Sequence, residues 1–151
     1  ALHIATLNAD QLGMKHRVKF IKGNLLAPIL EKDFGSSMDF VVSNPPYIGR
    51  EELKNLQPEV RDQEPQLALG GYKACEEIYR RLIPEAHEVL KSGAPLILEI
   101  GSSMEEVIVS LFGKGWTIPE VSKDLQGLPR IISAYKQEDE NCSPLGNLCY
   151  D

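Results

Sequence analysis

Ser43-Asn44-Pro45-Pro46-Tyr47 is the segment of this chain whose residue types point most directly to chemistry. A planar amide or exocyclic amine nitrogen has a delocalised lone pair, so a reaction at that nitrogen needs acceptors that hold its protons and aim it at an electrophile such as an activated methyl group. Asn44 offers a side-chain carbonyl, and Pro45 keeps a backbone carbonyl although it has no N–H. Two consecutive prolines stiffen the loop, which limits the entropy lost when a substrate is held in near-attack geometry. Tyr47 offers a ring to pack against a planar group. An isolated Asn-Pro-Pro-Tyr is otherwise just a rigid turn, so its setting decides the reading. Here Asp39-Phe40-Val41-Val42-Ser43, a short apolar run, leads into the prolines, and a long irregular segment, residues 49–71, follows. That is where an open α/β sheet presents residues to a ligand.

The elements that must position this loop follow from periodicity. Leu2, Ala5, Ala9 and Leu12 predict a helix over residues 1–12, with Gly13 as a left-handed C-terminal cap. Val18-Lys19-Phe20-Ile21 and Asp39–Ser43 predict strands. Ile78, Leu82, Ile83, Ala86, Val89 and Leu90 draw one apolar face of a helix from Tyr72 to Lys91, with Pro84 inside it. Leu96-Ile97-Leu98-Glu99-Ile100 reads as a strand buried on both faces. Met104, Val107, Ile108 and Leu111 predict a further helix. Trp116–Val121 and Ile131–Tyr135 predict two last strands, joined through Gly127-Leu128-Pro129. The order α, β, β, α, β, α, β, β argues for a three-layer α/β fold with a mostly parallel sheet. Residues 137–151 are polar and aperiodic, and read as a poorly ordered tail after a domain of residues 1–136.

Composition narrows the classes. Of 151 residues, 42% are hydrophobic and 25% charged, as in ordinary globular domains. A formal charge of −6 argues against a surface built to grip phosphate backbones. Cys75, Cys142 and Cys149 form no CxxC pair, and no His lies near them at ligand spacing, so no metal site or disulfide framework is expected. No apolar run approaches the length of a membrane helix, and the cytoplasm is the expected compartment. His3, His16 and His87 have no partner at catalytic spacing and are expected on the surface. Glu99, set in an apolar strand, needs a partner if buried, with Arg61 and Arg130 as candidates.

On these residues the sequence resembles the release-factor glutamine methyltransferases, the HemK/PrmC type of class I methyltransferase. Beyond Asn44-Pro45-Pro46-Tyr47-Ile48, the resemblance covers Pro58-Glu59-Val60-Arg61, Glu64-Pro65, Ala68-Leu69-Gly70-Gly71, Leu98-Glu99-Ile100-Gly101 and Asp124-Leu125-Gln126-Gly127-Leu128-Pro129-Arg130. It implies a Rossmann-like three-layer sandwich with a C-terminal antiparallel hairpin, S-adenosylmethionine as cofactor, and methyl transfer to N5 of the GGQ glutamine of peptide-chain release factors. It further implies that Asn44 and Pro45 are catalytic, that Pro46, Tyr47 and Glu64 complete the substrate site, and that Asn24, Leu25 and Asn44 contact the cofactor. Asn24 departs from the acidic residue common at that place.

The glycine-rich loop and acidic residue that should hold the methionine and ribose parts are not in this sequence, where the only GxG is Gly113-Lys114-Gly115, after a helix. In the resembled family these elements precede the point matching Ala1. The chain is therefore expected to be part of the catalytic domain, with a gap in the sheet between the strand at Val18 and the strand at Asp39. The 151 residues alone are expected to bind cofactor weakly. An adenine-N6 DNA or RNA methyltransferase shares the acceptor loop but should carry a basic surface. A non-catalytic remnant of the fold is the other alternative.

Overall fold

A computed structural model describes residues 1–32, 35–46 and 72–138. Helix α1 is Leu2–Gln11. Gly13, at φ +66°, closes it in a Schellman motif: Met14 N donates to Ala9 O (2.8 Å) and Gly13 N to Asp10 O (3.0 Å), satisfying carbonyls the helix end would leave orphaned. The expected apolar stripe is only weakly buried. Ala9 is covered, whereas Leu2, Leu7 and Leu12 stay exposed.

The strand expected at Val18–Ile21 does not form. Val18 is extended (φ −118°, ψ 127°), yet residues 18–21 pair with no strand among the described residues. A strand exists only where another chain segment takes its N–H and C=O groups, and the sheet offers none here. After this segment Gly23 passes so close to Pro28 that a Cβ would lie 1.8 Å from its Cγ, so the glycine is required by contact. A one-turn helix α2, Ala27–Leu30, follows, with Pro28 in its first turn, where a missing N–H costs nothing.

Among the described residues four strands form one sheet: β1 Val41–Ser43, β2 Pro95–Glu99, β3 Glu120–Lys123 and β4 Pro129–Tyr135, in the order β1-β2-β4-β3. β1 and β2 are parallel, and β4 runs antiparallel to both β2 and β3. The expected closing hairpin is thus present, but the described sheet is mixed, not mostly parallel. β1 to β2 and β2 to β3 are each joined through a helix, as same-direction strands require, and only the short β3–β4 connection reverses direction between consecutive strands. β3 starts at Glu120, later than the expected Trp116, because Pro119 cannot donate to a ladder. Trp116 makes a single bridge to Lys136 instead.

Helix α3, Tyr72–Val89, places Tyr79, Leu82, Ile83, Ala86 and Val89 in the core. The short helix α4, Glu105–Ser110, is led in by a 3-10 turn, Ser102–Met104, and adds Ile108 beside Met104. The strand residues of this core are Val41, Leu96, Leu98, Ile132 and Ala134. Register puts Val41, Leu96 and Ala134 in one row and Ser43, Leu98 and Ile132 in the next. The alternate row, Val42, Ile97 and Ser133, shows a different exposure: Val42 is 63% exposed and Ile97 only half-buried. β2 therefore alternates along its length and is not buried equally on both faces.

Two side chains lie deeper than their types suggest. His87 is half-buried, its ring edge-on to Trp116 at 5.2 Å, with Nε2 3.1 Å from Gly115 O; a carbonyl only accepts, so Nε2 carries the proton. The surface position expected for it fails because Trp116 supplies an apolar wall. Lys136 is buried, and its ammonium donates to Leu90 O (3.0 Å) and Ser36 Oγ (3.2 Å), tying the end of β4 to the end of α3 and to the loop before β1. Among the described residues no helix is long and apolar enough to cross a membrane.

Candidate active site

The carboxyl end of β1 and that of its parallel neighbour β2 point to the same edge of the sheet. Because β4 is antiparallel to β2, it begins at that edge: Ile131 lies opposite Glu99, and Ile100 N donates to Arg130 O at 2.9 Å. One edge thus gathers Asn44-Pro45-Pro46, Glu99-Ile100-Gly101 and the turn of the β3–β4 hairpin, three segments far apart in sequence. This is the edge where open α/β sheets bind ligands.

At the tip of β1, Asn44 is exposed, Pro45 is buried and Pro46 is half-buried. The prolines anchor the loop with their rings, and each pushes the residue before it towards extended backbone. Asn44 is held exposed on a stiff stem. No hydrogen bond among the described residues occupies its side-chain amide. Tyr47 and Glu64, expected to complete the acceptor pocket, lie outside the described residues, as do Arg61 and the motif from Pro58 to Gly71.

Tyr79 braces the same edge from below. Fully buried on α3, it donates its hydroxyl to Glu99 O at 2.8 Å. Glu99 itself is half-buried, on the same face of β2 as Ile97. Sequence reasoning passed over Tyr79, although it stands at helical spacing from Cys75, Leu82, Ile83 and Ala86.

The hairpin turn is held by one carboxylate. Asp124 Oδ1 accepts from Gln126 N (2.9 Å) and Leu128 N (3.0 Å), Oδ2 accepts from Arg130 Nε (2.9 Å), and Asp124 N donates to Leu128 O (2.8 Å). Asp124 and Arg130 therefore belong together because they build this turn. The Arg130 bond and then the Leu128 amide, with a lesser contribution from the Gln126 amide, hold the Asp124 carboxyl below the usual carboxylate range, against the opposing effect of desolvation. A carboxyl with a lower pKa folded than unfolded adds stability that is complete above the unfolded value, about 3.9, and is lost as pH falls through the folded one. We expect the Gln126 and Leu128 amides to lose exchange protection on acidification through that window, and an Asp124→Asn variant to show no such pH step.

The other candidate segment is the turn before α2. Asn24 is exposed, and Leu25 is half-buried against the core with φ +53°. Leu26 N donates to Glu85 Oε2 at 2.9 Å, and Arg81 lies 3.3 Å from Glu85 Oε1. No hydrogen bond among the described residues joins Asn24 or Leu25 to Asn44 or Pro45; the turn at Leu25 is tied to α3 through the Leu26–Glu85 bond.

No family model matches the chain. The release factor glutamine methyltransferase of Clostridium acetobutylicum is 36% identical to it over 137 residues, 90% of this chain and 47% of that protein. That of Geobacter sulfurreducens is 35% identical over 133 residues (87% and 45%), and that of Bradyrhizobium diazoefficiens 38% over 138 (90% and 45%). The chain is related to one part of the release factor glutamine methyltransferases. It spans about half the length of the curated relatives it matches.

For a relative of the release factor glutamine methyltransferases, the described sheet explains the sequence motifs unevenly. Asn44 and Pro45 stand at the carboxyl end of β1, and Leu98-Glu99-Ile100-Gly101 ends the neighbouring strand at that same edge. Asp124–Arg130 is a turn held by its own side chains. Glu85 was missed altogether. Its one signal in the sequence was an Arg81-x-x-x-Glu85 pair on a helix, which ordinarily marks a solvated face.

Proposed function

We propose that this chain is part of an S-adenosylmethionine-dependent methyltransferase that transfers a methyl group to the side-chain amide nitrogen of a glutamine, the GGQ glutamine of peptide-chain release factors, in the cytoplasm. The observation that carries the reading is Asn44, exposed and hydrogen-bond-free among the described residues at the carboxyl end of β1, on a stem of one buried and one half-buried proline. Similarity at 35 to 38% identity to release factor glutamine methyltransferases supports the substrate class. The full fold proposed is the three-layer Rossmann-like sandwich, with residues 1–136 as its share of the catalytic domain and 137–151 as a tail.

In this reading the Asn44 side-chain oxygen and the Pro45 carbonyl accept the two amide protons, so that the nitrogen faces the donor methyl. Tyr47 stacks on the amide plane, and Pro46 and Glu64 shape the pocket. The glutamine needs no strong base, because its nitrogen can release a proton after the methyl has arrived. The residues present suit the nucleobase end of the cofactor: an exposed amide at Asn24 beside an apolar, half-buried Leu25 offers a polar edge and a flat apolar wall. Asn44 would also border the cofactor. S-adenosylmethionine supplies the electrophilic methyl group.

The test is transfer of labelled methyl from S-adenosylmethionine by the whole protein, with a purified release factor and with DNA as alternative acceptors. Label confined to the GGQ glutamine is the expected result. Label on adenine instead would assign the acceptor loop to the nucleic-acid methyltransferases, and label on neither would leave the chain a non-catalytic relative.

A further inference from the structure

Resting on the reading of Asn24 and Leu25 as cofactor contacts, we infer that Glu85 is a positioning residue for the methyl donor: its carboxylate, reaching from α3, sets the backbone turn against which the donor's nucleobase packs.

Leu25 is the one non-glycine residue with a left-handed φ among the described residues, at +53°. A leucine is held there only where its surroundings fix it, and such positions cluster where a ligand is clamped. Leu25 carries a branched side chain packed on the core, so the backbone cannot relax without withdrawing that side chain from the cluster beneath. The next peptide is fixed by a single long-range bond. Leu26 N donates to Glu85 Oε2 at 2.9 Å across 59 residues of sequence. The carboxylate is itself mostly covered, its side chain 17% exposed, and its other oxygen faces Arg81 at 3.3 Å. The helix that carries Glu85 also supplies Tyr79, which braces the acceptor edge through Glu99 O. α3 thereby holds both halves of the site, one through each residue, and Glu85 acts on the donor half alone.

The geometry makes the reach of the side chain decisive, since an amide oxygen at the same place accepts from Leu26 N nearly as well, and a shorter acid does not arrive. In the whole protein we expect Glu85→Ala and Glu85→Asp to weaken binding of S-adenosylhomocysteine, read by calorimetric titration, by about tenfold, the loss typical of one well-placed hydrogen bond. KM for the donor should rise with it, while KM for the release factor and kcat stay near wild type. Amide exchange at Leu26 should speed up in both variants. Glu85→Gln should restore donor affinity and Leu26 protection. A Glu85→Ala protein that melts earlier yet binds S-adenosylhomocysteine as tightly as wild type would overturn the inference and leave Glu85 a stabilising residue only. Failure of the wild type to bind S-adenosylhomocysteine at all would instead overturn the methyltransferase reading, and this inference with it.

Discussion

Asn44→Ala in the whole protein is expected to lower kcat/KM for methyl transfer to the release factor by about 10²- to 10³-fold, the effect of removing one preorganised group that holds a reacting centre. The fold should not notice. Asn44 is exposed and follows the last residue of β1, so truncation opens no cavity, and the loop keeps its anchor in the buried ring of Pro45. Stability measured by thermal melting should therefore match wild type. The expected loss lies in the rate at saturating donor, because the missing acceptor leaves one amide proton of the glutamine unheld and the nitrogen free to turn from the methyl. Donor affinity gives the complementary reading. If S-adenosylhomocysteine binding falls as far as the rate does, Asn44 serves the donor and not the glutamine. If neither falls, the acceptor assignment is lost.

Why this residue was legible in the sequence, and Glu85 was not, has a physical basis. A strand ending in two prolines is a local statement: the ladder must stop where donors stop, so the position of Asn44 at a strand tip follows from its own neighbours. The same holds for α3, whose apolar face at helical spacing predicts its span to within two residues at its C-terminal end, and for the Gly13 cap. Glu85, by contrast, matters for an amide 59 residues away, and no pattern within α3 announces it. His87 fails for the same reason, since its neighbour Trp116 belongs to a different element. Val18–Ile21 shows the limit most clearly. Its residues have the composition of a strand, but strand formation is a property of pairs, and among the described residues no strand is laid beside it. The Asn24–Leu25 turn was singled out only through family resemblance; what the structure adds is the left-handed Leu25 and the bond beside it.

The two sides of β2 make the second large expectation. Leu98 is fully buried between Ser43 and Ile132 in register and packs into the cluster formed with α3. Leu98→Ala should cost about 2–5 kcal/mol, the transfer term plus the cavity that well-packed neighbours cannot fill. Ile97, one residue away, points to the other face beside Val42, which is 63% exposed, and is itself only half-buried. A side chain that has given up half of its water contact and lies against an open row should cost less to truncate, about 1 kcal/mol. Denaturant unfolding of both variants, with unchanged slope, measures the difference directly. The comparison bears on function as well as stability. The Leu98 side of the sheet is covered by α3 and α4, and a three-layer fold demands cover on the Ile97 side too. If both truncations prove equally costly in the whole protein, the second face is covered there, and the sandwich proposed for the full domain is present. A cost confined to Leu98 means that the open row stays open, and the Asn44 edge is then carried by a sheet supported from one side alone.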